Sequence, residues 1–557
     1  MLFSQLWEDF FMLLIEAGKI KKYFGDRLIL DIDDLKIYSG DRIGIIGRNG
    51  VGKTTLINIL SEKLRPDEGW VRLHGTYSYI SQLEEPDYRN ISGEMASRFG
   101  IEILWNIHMS GGEKTRFKLA DALDSNSVIM FADEPTSNVD VEGIGLMEKM
   151  FNEYRGALIL ISHDRSLLDN LCNKILEIEN SKIKIYNGNY TDYKNQKIRE
   201  KERIRFEYDE YIKEKKRLEG IINSTKQKVK SMKKTPKRMG NSEARLHKMG
   251  SKNARANLES AIKNVEKRIE HLEVKEKPKE QSRIKLDILN SSKLYSKIII
   301  EGKDINKSFD KNIIFKNAEF NIYNESKVAL IGPNGCGKTT LIKMIMDKDD
   351  SIKMARGVKA GYFSQDMNIL DANSSIIKNV MKNSIYPEDF ARLLLARLLF
   401  KGEDVYKKVN ILSGGERVKV SFAKIILQDI NLLILDEPTN YMDIDALEVI
   451  EETLKNYDRT LLIVSHDRRF VDSVADHIMT IENYKIKMFM GTYKEYLSGK
   501  NKHLNNSEEE VKKQIIILKN RLSEVIGRLS MPSKHDDLEA LDREYNEILD
   551  ELKGFGV

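Results

Sequence analysis

Residues suited to holding phosphate occur twice in this chain, as a glycine-rich stretch that ends in lysine and threonine. The stretch reads GRNGVGKTT at residues 47–55 and GPNGCGKTT at residues 332–340, and an apolar run precedes each copy. Glycines let backbone N–H groups wrap around a phosphate chain, the lysine reaches the outer phosphates, and the first threonine is a Mg²⁺ ligand. The pattern predicts two nucleotide sites, built from Gly47, Asn49, Gly50, Gly52, Lys53, Thr54 and Thr55 and from Gly332, Asn334, Gly335, Gly337, Lys338, Thr339 and Thr340.

An Asp–Glu pair follows an apolar run in each half of the chain and adds the chemistry of hydrolysis. The runs are VIMFADE, which ends in Asp133 and Glu134, and LLILDE, which ends in Asp436 and Glu437. In such a pair the aspartate lies beside the metal, and the glutamate is free to orient and polarise a water molecule. We therefore predict that the two aspartates are metal ligands and that the two glutamates are catalytic.

A histidine ends the next apolar run in both halves, and a glutamine follows an aromatic-rich run. His163 and His466 follow their catalytic glutamates at the same spacing, so we expect both to contact the γ-phosphate and class them as catalytic. The alternative for either histidine alone is a capping or core position. Gln82 and Gln365 follow TYSYIS and AGYFS and would complete the metal shell, with a plain surface position as the alternative.

All these motifs are parts of one internal repeat. The phosphate-binding stretch occurs in both halves, and the motif SGGE stands at residues 110–113 and 413–416. The step from the serine of SGGE to the catalytic glutamate has the same length in both copies. Loops of the phosphate-binding kind lie between a strand and a helix, so the repeat predicts an α/β fold with two tandem P-loop ATPase domains.

This set of motifs resembles the ABC ATPases, for which SGGE is the signature. The resemblance implies an enzyme that uses ATP and Mg²⁺ and hydrolyses ATP to ADP and phosphate. It also implies two composite sites, because in that family the signature of one domain closes over ATP held by the other. The signature residues, which would then bind ATP, are Ser110, Gly111, Gly112 and Glu113 and their counterparts Ser413, Gly414, Gly415 and Glu416. Phe24 and Phe309 lie where the family stacks a ring on adenine, with Tyr23 as the alternative in the first copy.

Length and cysteine content limit the class of protein. A chain of 557 residues is too long for one core and predicts three or four domains. Two cysteines, Cys172 and Cys336, are too few for a disulfide framework and indicate a reducing cytoplasm. The apolar run at residues 10–15 is too short to span a bilayer, and no basic residue precedes it, so we expect no membrane span, secretory signal or membrane partner. A first strand is expected from Met12, with residues 1–11 as an extension.

Between the ATPase domains, at residues 194–280, charged helical sequence replaces the strand pattern. Apolar and aromatic residues recur there at intervals of three and four, which predicts an antiparallel helical hairpin with a basic tip near residues 231–256. The seam residues are Ile204, Tyr208, Tyr211, Leu218, Ile222 and Val229 before the tip and Leu258, Ile262, Val265, Ile269 and Leu272 after it. Pro236, Gly240 and Gly250 are expected to break the helices around the tip. About 35 residues per helix would give an arm of roughly 50 Å.

The tip of this hairpin carries a strong local charge. From Lys226 to Ala256 there are eleven basic residues and one acidic residue, a net charge of +10 in a chain whose total is +5. A charged run is usually a solvated face, but one on a dedicated arm favours an anionic partner, and polynucleotide is the partner that it predicts. We expect RNA contact from Lys233, Lys234, Lys237, Arg238, Arg245, Lys248, Lys252 and Arg255, and apolar contact at the tip from Met239, Leu246 and Met249.

Two ABC domains joined by a long charged linker resemble the ABC-F proteins, and the segment LARLLFKGEDVYKKVNILSGGERVKVSFAKIIL at residues 395–427 is similar to that family throughout. The resemblance implies a cytoplasmic, ribosome-associated ATPase, expected to be a monomer. Such proteins bind the tRNA exit site and extend the linker toward the peptidyl-transferase centre. Large-subunit rRNA and P-site tRNA would be its partners, and the apolar residues of the tip would lie near the drug site.

The space between motifs narrows the resemblance within ABC-F. The stretch from Gln82 to Ser110 is much shorter than the equivalent stretch from Gln365 to Ser413. The first domain therefore has no room for the inserted arm of some housekeeping members. A long linker with a reduced first domain resembles the Vga- and Lsa-like resistance proteins, which protect ribosomes from pleuromutilins, lincosamides and streptogramin A.

Two further features complete the description of the chain. Where the family reads EPTNHLD, this chain has EPTSNVD ending in Asp140 and EPTNYMD ending in Asp443, which allows the two sites to hydrolyse ATP at different rates. The ABC domains are placed at residues 12–193 and 281–500. Residues 501–557 show two apolar stripes and are expected to form a helical hairpin, either as a ribosomal contact or packed on the second ATPase domain.

Three other functions fit parts of the pattern. A housekeeping ABC-F factor that relieves stalled ribosomes has the same domain plan. The ATPase subunit of a membrane transporter would share the ABC pair, but it would give the linker no purpose. A DNA-repair ATPase has similar helical insertions, but these usually interrupt one ATPase domain, whereas this linker lies between two complete ones.

Overall fold

The structure is a computed structural model. It describes residues 12–81, 90–106, 109, 111–137, 139–231, 241–275, 277, 294–309, 312–364, 369–440 and 442–500, with short helical pieces at 518–519, 521–522, 525–526 and 543–549. For Gly111 and residues 241–253 it describes the backbone only. Within these ranges the chain forms two ATPase halves of one design, with a pair of long helices between them in sequence.

The first half alternates strands and helices. Its described elements are β1 (Leu13–Phe24), β2 (Arg27–Tyr38), β3 (Arg42–Ile46), α1 (Lys53–Leu60), β4 (Glu68–Leu73), β5 (Tyr77–Ile80), α2 (Gly93–Phe99), α3 (Gly111–Asp124), β6 (Ile129–Asp133), α4 (Val141–Glu153), β7 (Ala157–Ile161), α5 (Arg165–Leu171), β8 (Lys174–Glu179) and β9 (Lys182–Asn187). The first strand therefore begins immediately after the predicted start.

The central sheet of the first half has the strand order β5-β6-β7-β3-β8-β9. Neighbours pair in parallel, except that β9 runs antiparallel to β8. The middle strands IMFAD and ALILI are buried along their whole length, the pattern of parallel strands covered by helices on both faces. Parallel strands bring their carboxyl ends to one edge, so the loops after β3, β6 and β7, which carry the P-loop, Glu134 and His163, meet there.

A smaller antiparallel sheet completes the first half. Its strand order is β2-β1-β4. Leu30 of this sheet, Ile57 of α1 and Ile159 of the central sheet belong to one buried apolar cluster. Burying side chains of this size stabilises the fold by about 1.5–3 kcal/mol each. Helix α1 therefore lies between the two sheets, and its first turn is held rigidly below the P-loop.

The second half repeats this design. Its described elements are β10 (Ile298–Phe309), β11 (Asn312–Tyr323), β12 (Lys327–Ile331), α8 (Lys338–Met346), β13 (Ile352–Met354), β14 (Ala360–Phe363), α9 (Ile376–Met381), α10 (Glu388–Arg397), α11 (Gly414–Ile426), β15 (Leu432–Asp436), α12 (Ile444–Lys455), β16 (Thr460–Val464), α13 (Arg468–Val474), β17 (His477–Glu482) and β18 (Lys485–Met490). The sheet orders β14-β15-β16-β12-β17-β18 and β11-β10-β13 match those of the first half.

The halves differ between the glutamine motif and the signature. In the first half the described residues of this segment contain only α2. In the second half it contains α9, α10 and two 3₁₀ turns, Gly402–Tyr406 and Val409–Ile411. The shorter spacing in the first copy predicted this reduction, and the described residues agree with it.

Two long helices follow the first half, α6 (Tyr190–Ser231) and α7 (Asn241–Glu270). At about 1.5 Å per residue they are roughly 63 and 45 Å long. Among the seam residues whose side chains are described, Leu218, Ile222 and Ile262 are buried. An ion pair between Lys226 and Glu266, 3.4 Å apart, accompanies this antiparallel pairing.

Two details of the predicted hairpin were wrong. Ile204 is 52% exposed and lies outside the packed seam, because the partner helix α7 ends before it reaches the base of α6. Gly250 does not break a helix, since it lies inside α7. Glycine costs only about 1 kcal/mol in a helix interior, and the surrounding Leu, Arg, Lys, Met and Ala residues are strong helix formers.

The C-terminal pieces also pair as helices. Val525 and Ile548 are buried in one apolar cluster, and Leu518, Leu522 and Tyr545 pack against it. Arg521 donates to Glu544 at 2.7 Å. These contacts agree with the two predicted apolar stripes.

The chain divides into two compact units. The first comprises Met1–Ile107, Arg116–Thr136 and Met147–Ile284, and the second comprises His108–Thr115, Ser137–Leu146 and Lys285–Val557. The second unit thus contains the second ATPase half together with two short segments that precede it in sequence. Across the residues described, no helix combines the length and apolarity that crossing a membrane requires.

Candidate ATP-binding sites

Each P-loop turns from a central strand into a helix through a glycine at which a side chain would clash. Gly52, the N-cap of α1, has φ 105°, and a Cβ atom there would lie 2.6 Å from the side chain of Ile29. Gly337, the N-cap of α8, has φ 109° and would clash with Ile314 at 2.4 Å. These close approaches aim the free N–H groups of a helix N-terminus into the loop, which is the geometry that binds phosphate.

The P-loop lysines lie against their own loops. The Nζ atom of Lys53 donates to the carbonyl oxygens of Gly47 at 2.7 Å and Arg48 at 3.3 Å. Lys338 donates in the same way to Gly332 at 2.8 Å and Pro333 at 3.0 Å. Each ammonium group is therefore positioned inside the loop, where the outer phosphates of a nucleotide would lie.

A threonine and an aspartate meet beside each lysine. The Oγ1 atom of Thr54 donates to Oδ2 of Asp133 at 2.8 Å, and Thr339 lies 3.5 Å from Asp436. Burial raises the pKa of both aspartates. A bound cation would stabilise the charged form of these buried carboxylates. Mg²⁺ prefers oxygen ligands, and in nucleotide sites it is usually held by one or two protein oxygens together with the phosphates. These residues fit a Mg²⁺ ion, although the described residues contain no group of three or more acidic, His or Cys side chains around one point.

Both glutamates predicted to be catalytic have a strained backbone. Their φ angles are 49° at Glu134 and 50° at Glu437, a left-handed conformation that costs a non-glycine residue roughly 1–2 kcal/mol. Each N–H donates at 2.9 Å to the end of the neighbouring strand, to Ile161 and Val464 respectively. The sheet therefore holds this conformation in place at equivalent positions of the two halves. Strain of this kind marks functional positions.

The glutamate side chains lie beside the histidines and are largely shielded from water, with 15% of Glu134 and 9% of Glu437 exposed. Oε1 of Glu134 lies 3.4 Å from Nε2 of His163, and Oε1 of Glu437 lies 3.3 Å from Nε2 of His466. Burial raises the pKa of Glu134 and of Glu437 to about 8. Among the described residues neither Oε1 atom has a hydrogen-bond partner. A buried acceptor without a partner is the arrangement expected where a water molecule or ligand binds.

The histidines face the P-loop lysines as well. His163 Nε2 lies 3.4 Å from Nζ of Lys53. Burial and the charge of Lys338 lower the pKa of His466 to about 4, so its imidazole is neutral at pH 7. A neutral ring can donate one N–H to a phosphate oxygen without adding a second charge beside the lysine. The glutamate, histidine and lysine therefore come together in both halves, as their spacing predicted.

The second signature caps a helix. The Ser413 hydroxyl accepts from the N–H of Glu416 at 3.3 Å, and the Glu416 carboxylate accepts from the N–H of Ser413 at 2.9 Å. This reciprocal capping box fixes the start of α11 and the backbone of Gly414 and Gly415 within its first turn. In the first copy Gly111, Gly112 and Glu113 begin α3, while Ser110 lies outside the described residues.

A contact inside the second unit links a closing aspartate to a P-loop. The backbone N–H of Asn334 donates to Oδ2 of Asp140 at 3.1 Å. The other oxygen, Oδ1, accepts from the N–H of Gly143 at 2.9 Å and caps α4. Sequence reasoning noted Asp140 as the end of its motif but assigned no role to it.

Comparison with known proteins agrees with these motifs. A profile of the ABC transporter family matches residues 30–98 and 315–440. The erythromycin resistance ATP-binding protein MsrA of Staphylococcus epidermidis is 33% identical and spans 83% of this chain and 96% of its own length. The ribosome protection protein VmlR of Bacillus subtilis is 30% identical over 95% of this chain and 96% of its own length. This chain belongs to the ABC-F family. Two tandem ABC domains make it an ATP-hydrolysing enzyme, similar in sequence to resistance proteins.

Solved structures agree with the fold of this ABC-F protein. The archaeal ribosome recycling factor aABCE1, in its complex with the ribosomal stalk protein aP1, aligns with a TM-score of 0.57 at 19% identity. The alignment covers 86% of this chain and 92% of that one. At this identity the likeness shows the shared tandem ABC fold.

The aromatic residues predicted to stack on adenine lie at strand ends of the ABC-F core. Phe24 ends β1 and is 55% exposed, and Phe309 ends β10 and is 53% exposed. Tyr23, the alternative to Phe24, is 38% exposed, and its backbone N–H donates to Asp67. Exposed rings are available to a base, so Phe24 stays the prediction in the first copy, with Tyr23 as the alternative.

Several predicted positions lie outside what the structure describes. They are Gln82, Gln365, Ser110, Lys233, Lys234, Lys237, Arg238 and Met239. Arg245, Leu246, Lys248, Met249 and Lys252 are placed in the backbone of α7. Arg255, also on α7, pairs with Glu259 at 2.9 Å.

Sequence reasoning missed one residue of the second site. The hydroxyl of Tyr362 donates to Oδ2 of Asp436 at 3.3 Å, beside Thr339. The signal was available, because Tyr362 stands shortly before Gln365 in the aromatic-rich strand that drew attention to the glutamine.

Proposed function

We propose that this ABC-F ATPase binds the ribosome at the tRNA exit site and extends the α6–α7 hairpin toward the peptidyl-transferase centre. In that position it protects the ribosome against drugs of the pleuromutilin, lincosamide and streptogramin A type. The observation that carries the proposal is a hairpin with helices of roughly 63 and 45 Å, inserted between two complete ATPase halves. MsrA is named for erythromycin resistance and VmlR for ribosome protection, and both align along most of this chain, so their names support resistance by ribosome protection.

Bound ATP would hold the two halves together. Each P-loop supplies helix N-terminal N–H groups and a lysine, and each signature begins a helix whose N-terminus attracts phosphate. The Asn334–Asp140 hydrogen bond, inside the second unit, supports a composite site at the second P-loop, since Asp140 follows the predicted catalytic motif of the first half. The closed form, with ATP bound twice, would be the form that fits the ribosome.

The residues of each site divide the work of hydrolysis. Mg²⁺ held by Thr54 and Asp133 would neutralise charge on the phosphates. Glu134 would orient the attacking water through Oε1 and accept its proton, which the raised pKa of its buried carboxyl favours. His163, 3.4 Å from both Glu134 and Lys53, would hold the γ-phosphate by a hydrogen bond. The second half has the same arrangement, and hydrolysis would release the protein.

Replacing both catalytic glutamates tests this cycle. The double variant E134Q/E437Q keeps the side-chain shape and the ability to bind ATP but lacks the carboxylate that accepts a proton. It should remain closed and sediment with ribosomes through a sucrose cushion when ATP is present. A double variant that stays free of ribosomes with ATP would refute the proposal. The matched control is K53M/K338M, which should stay free because it cannot bind ATP.

The tip of the hairpin needs its own test. Deleting residues 236–250 should abolish drug protection while ATP hydrolysis continues, because the ATPase halves share no residue with the tip. Inhibitory concentrations in a susceptible bacterium measure protection, with erythromycin as a separate arm because MsrA is named for it. Protection that survived the deletion would show that the tip is not the working part.

A general translation factor is the second candidate. It is favoured by the size of the family, which includes members not named for resistance, such as ABC transporter F family member 2 of Arabidopsis thaliana, 27% identical over 86% of this chain. Ribosome binding by E134Q/E437Q without any change in inhibitory concentrations would favour this candidate.

A further inference from the structure

The root of α6 is joined to the β8–β9 hairpin by a polar network, defined here as Glu177, Lys184, Tyr186, Tyr193, Lys197 and Glu200. Glu177 on β8 accepts from the hydroxyl of Tyr193 at 2.8 Å and pairs with Lys197 at 2.6 Å. Lys197 lies beyond the first turn of α6. Glu177 is 12% exposed and Lys197 is 22% exposed, so this pair is largely shielded from water.

A second carboxylate extends the network along the helix. Glu200 on α6 pairs with Lys184 of β9 at 2.5 Å and accepts from the hydroxyl of Tyr186 at 3.1 Å. The same hydroxyl lies 3.3 Å from Glu177, so its single proton is shared between the two carboxylates. Burial acts to lower the pKa of Lys197, but the hydrogen bond and charge of Glu177 outweigh burial, so the pKa is raised. The ammonium group therefore stays charged within the network.

The second half of the chain provides an internal comparison. Its strand pair β17–β18 leads through the motif GTYKEY, as β8–β9 leads through GNYTDY. The ring packing is kept: Tyr186 and Tyr193 lie 5.0 Å apart, edge to face, and Phe489 and Tyr496 lie 5.8 Å apart in the same manner. Both corners therefore pack a pair of aromatic rings edge to face.

The central polar groups of the network are replaced in that second corner. At the repeat spacing Phe489 stands for Tyr186 and Thr480 stands for Glu177, so that hydroxyl and that carboxylate are both lost. There the Tyr496 hydroxyl instead contacts Glu482 at 3.5 Å. Since the second corner packs its rings without Glu177 and Tyr186, ring packing does not require the network. In the first corner the element that the network contacts beyond the rings is the long helix α6.

Both corners also anchor the start of the following segment. Thr191 donates to Asp169 through its N–H at 2.6 Å and its hydroxyl at 2.8 Å, and the N–H of Lys494 donates to Asp472 at 3.1 Å. An anchor at one point fixes where a helix begins and leaves its direction free. Lys197 and Glu200 add contacts roughly 9–14 Å further along the axis, which fixes the direction as well.

We propose that the polar network of Glu177, Tyr186, Lys197 and Glu200 sets the direction of α6, so that these are positioning residues for the hairpin tip. A helix of about 63 Å magnifies any change at its base, and a tilt of roughly 5° moves the far end by about 5 Å. The proposal deepens the proposed function, because it names what aims the hairpin at its ribosomal target.

The direction of α6 is measured on the free protein by spin-label distances. Labels at Lys213→Cys on α6 and Lys149→Cys on α4 report the direction of the helix, with Cys336→Val to remove the partly buried thiol. The double variant Y186F/K197M should broaden the distance distribution by about 3 Å, because Lys213 lies roughly 35 Å along α6 and a tilt of roughly 5° moves that point by about 3 Å. Lys197→Arg should restore the width found with the native network, because it keeps the charge. Unchanged width in Y186F/K197M would overturn the proposal.

The matched control is Tyr496→Phe, which removes the hydroxyl that contacts Glu482 in the second corner and should leave the width unchanged. Y186F/K197M should retain its rate of ATP hydrolysis and lose drug protection, and K197R should recover it. If the width broadens while the native protein gives no protection at all, the network still aims the helix and the proposed function is wrong. A broadened distance distribution in Y496F as well would overturn the assignment of this positioning role to the corner that precedes α6.

Discussion

The two ATPase halves are alike where nucleotide chemistry takes place and differ where each half leads into its next helix. Both halves hold a P-loop lysine on two carbonyl oxygens, a threonine beside an aspartate, and a glutamate at φ near 50° beside a histidine. At the strand–helix corner that follows, one half has the polar network and the other has Phe489 and Thr480 in its place.

This difference separates what the ATPase fold requires from what one particular half adds to it. Reactive groups must stand within about 3 Å of the atoms they act on, so substitutions there are poorly tolerated in either copy. The strand–helix corner has to bury its two aromatic rings, but the polar residues around those rings can be exchanged without loss of the packing. Repeats inside one chain therefore identify added functions without any alignment to other proteins.

The largest effect should come from the P-loop lysines. K53M and K338M each remove the charge that lies among the outer phosphates, and loss of such a partner costs about 2–5 kcal/mol, or roughly a thousandfold in affinity. Nucleotide titration should therefore show binding at one site in either single variant and at neither site in the double. If one single variant lost both sites while the other lost one, the equivalence of the halves would be refuted.

An effect of comparable size, on stability and not on nucleotide affinity, should distinguish the signature helices. Lys419 and Asp443 form an ion pair at 2.9 Å, with only 6% and 3% of the two side chains exposed. K419A would leave Asp443 buried without its counter-charge, which costs about 3–5 kcal/mol, and should lower the melting temperature of the second half. Arg116 occupies the matching position of the first half and donates to the Phe99 carbonyl at 3.4 Å.

Arg116→Ala is the control for this ion pair. It removes one long hydrogen bond from a partly exposed side chain, so the first half should lose about 1 kcal/mol at most. Calorimetry that resolves two transitions would assign each change to its half. Equal losses in the two variants would mean that the ion pair makes no difference between the halves.

The histidines should have equal and moderate effects on hydrolysis. His163 and His466 lie 3.4 and 3.3 Å from their glutamates, so H163A and H466A should each slow turnover at their own site by about 100-fold. Turnover at single sites can be measured in backgrounds that carry K338M or K53M. A tenfold difference between the two histidine variants would show that the departures in EPTSNVD and EPTNYMD change the chemistry.

The smallest effect concerns backbone strain at the catalytic glutamates. E437G and E437A both remove the side chain, but glycine accepts φ 50° and alanine does not. The glycine variant should therefore be more stable than the alanine variant by about 1 kcal/mol, measured by denaturant unfolding. The pair E134G and E134A should give the same difference. A pair of equally stable variants would mean that the backbone relaxes after truncation.

Much of the fold was readable because its signals are local. Apolar runs such as ALILI, each followed by a polar catalytic residue, predict buried parallel strands whose ends meet at one edge. The glycines of the P-loop predict a turn that only glycine can make. In the hairpin the three-and-four rhythm predicted Leu218, Ile222 and Ile262 in the seam, and these are buried.

Errors arose where a local signal depended on distant partners. Ile204 fits the three-and-four spacing of the seam, but α7 ends before it reaches this residue. The extent of the packed seam depends on the lengths of both helices, which the apolar spacing of one helix does not give. Gly250 reads as a helix breaker, yet its neighbours outweigh it. Single-residue preferences of about 1 kcal/mol are easily overridden by their surroundings.

The amino-acid sequence by itself determined the two ATPase folds and the hairpin between them, and it predicted their phosphate-binding and catalytic residues, because these depend on motifs and periodicities within short segments. Only the tertiary structure decided that Glu177 meets Lys197, that Lys419 is buried on Asp443, and that Asn334 donates to Asp140. Those contacts join residues that are far apart in the chain, and they depend on strand register and side-chain direction, which no short pattern contains.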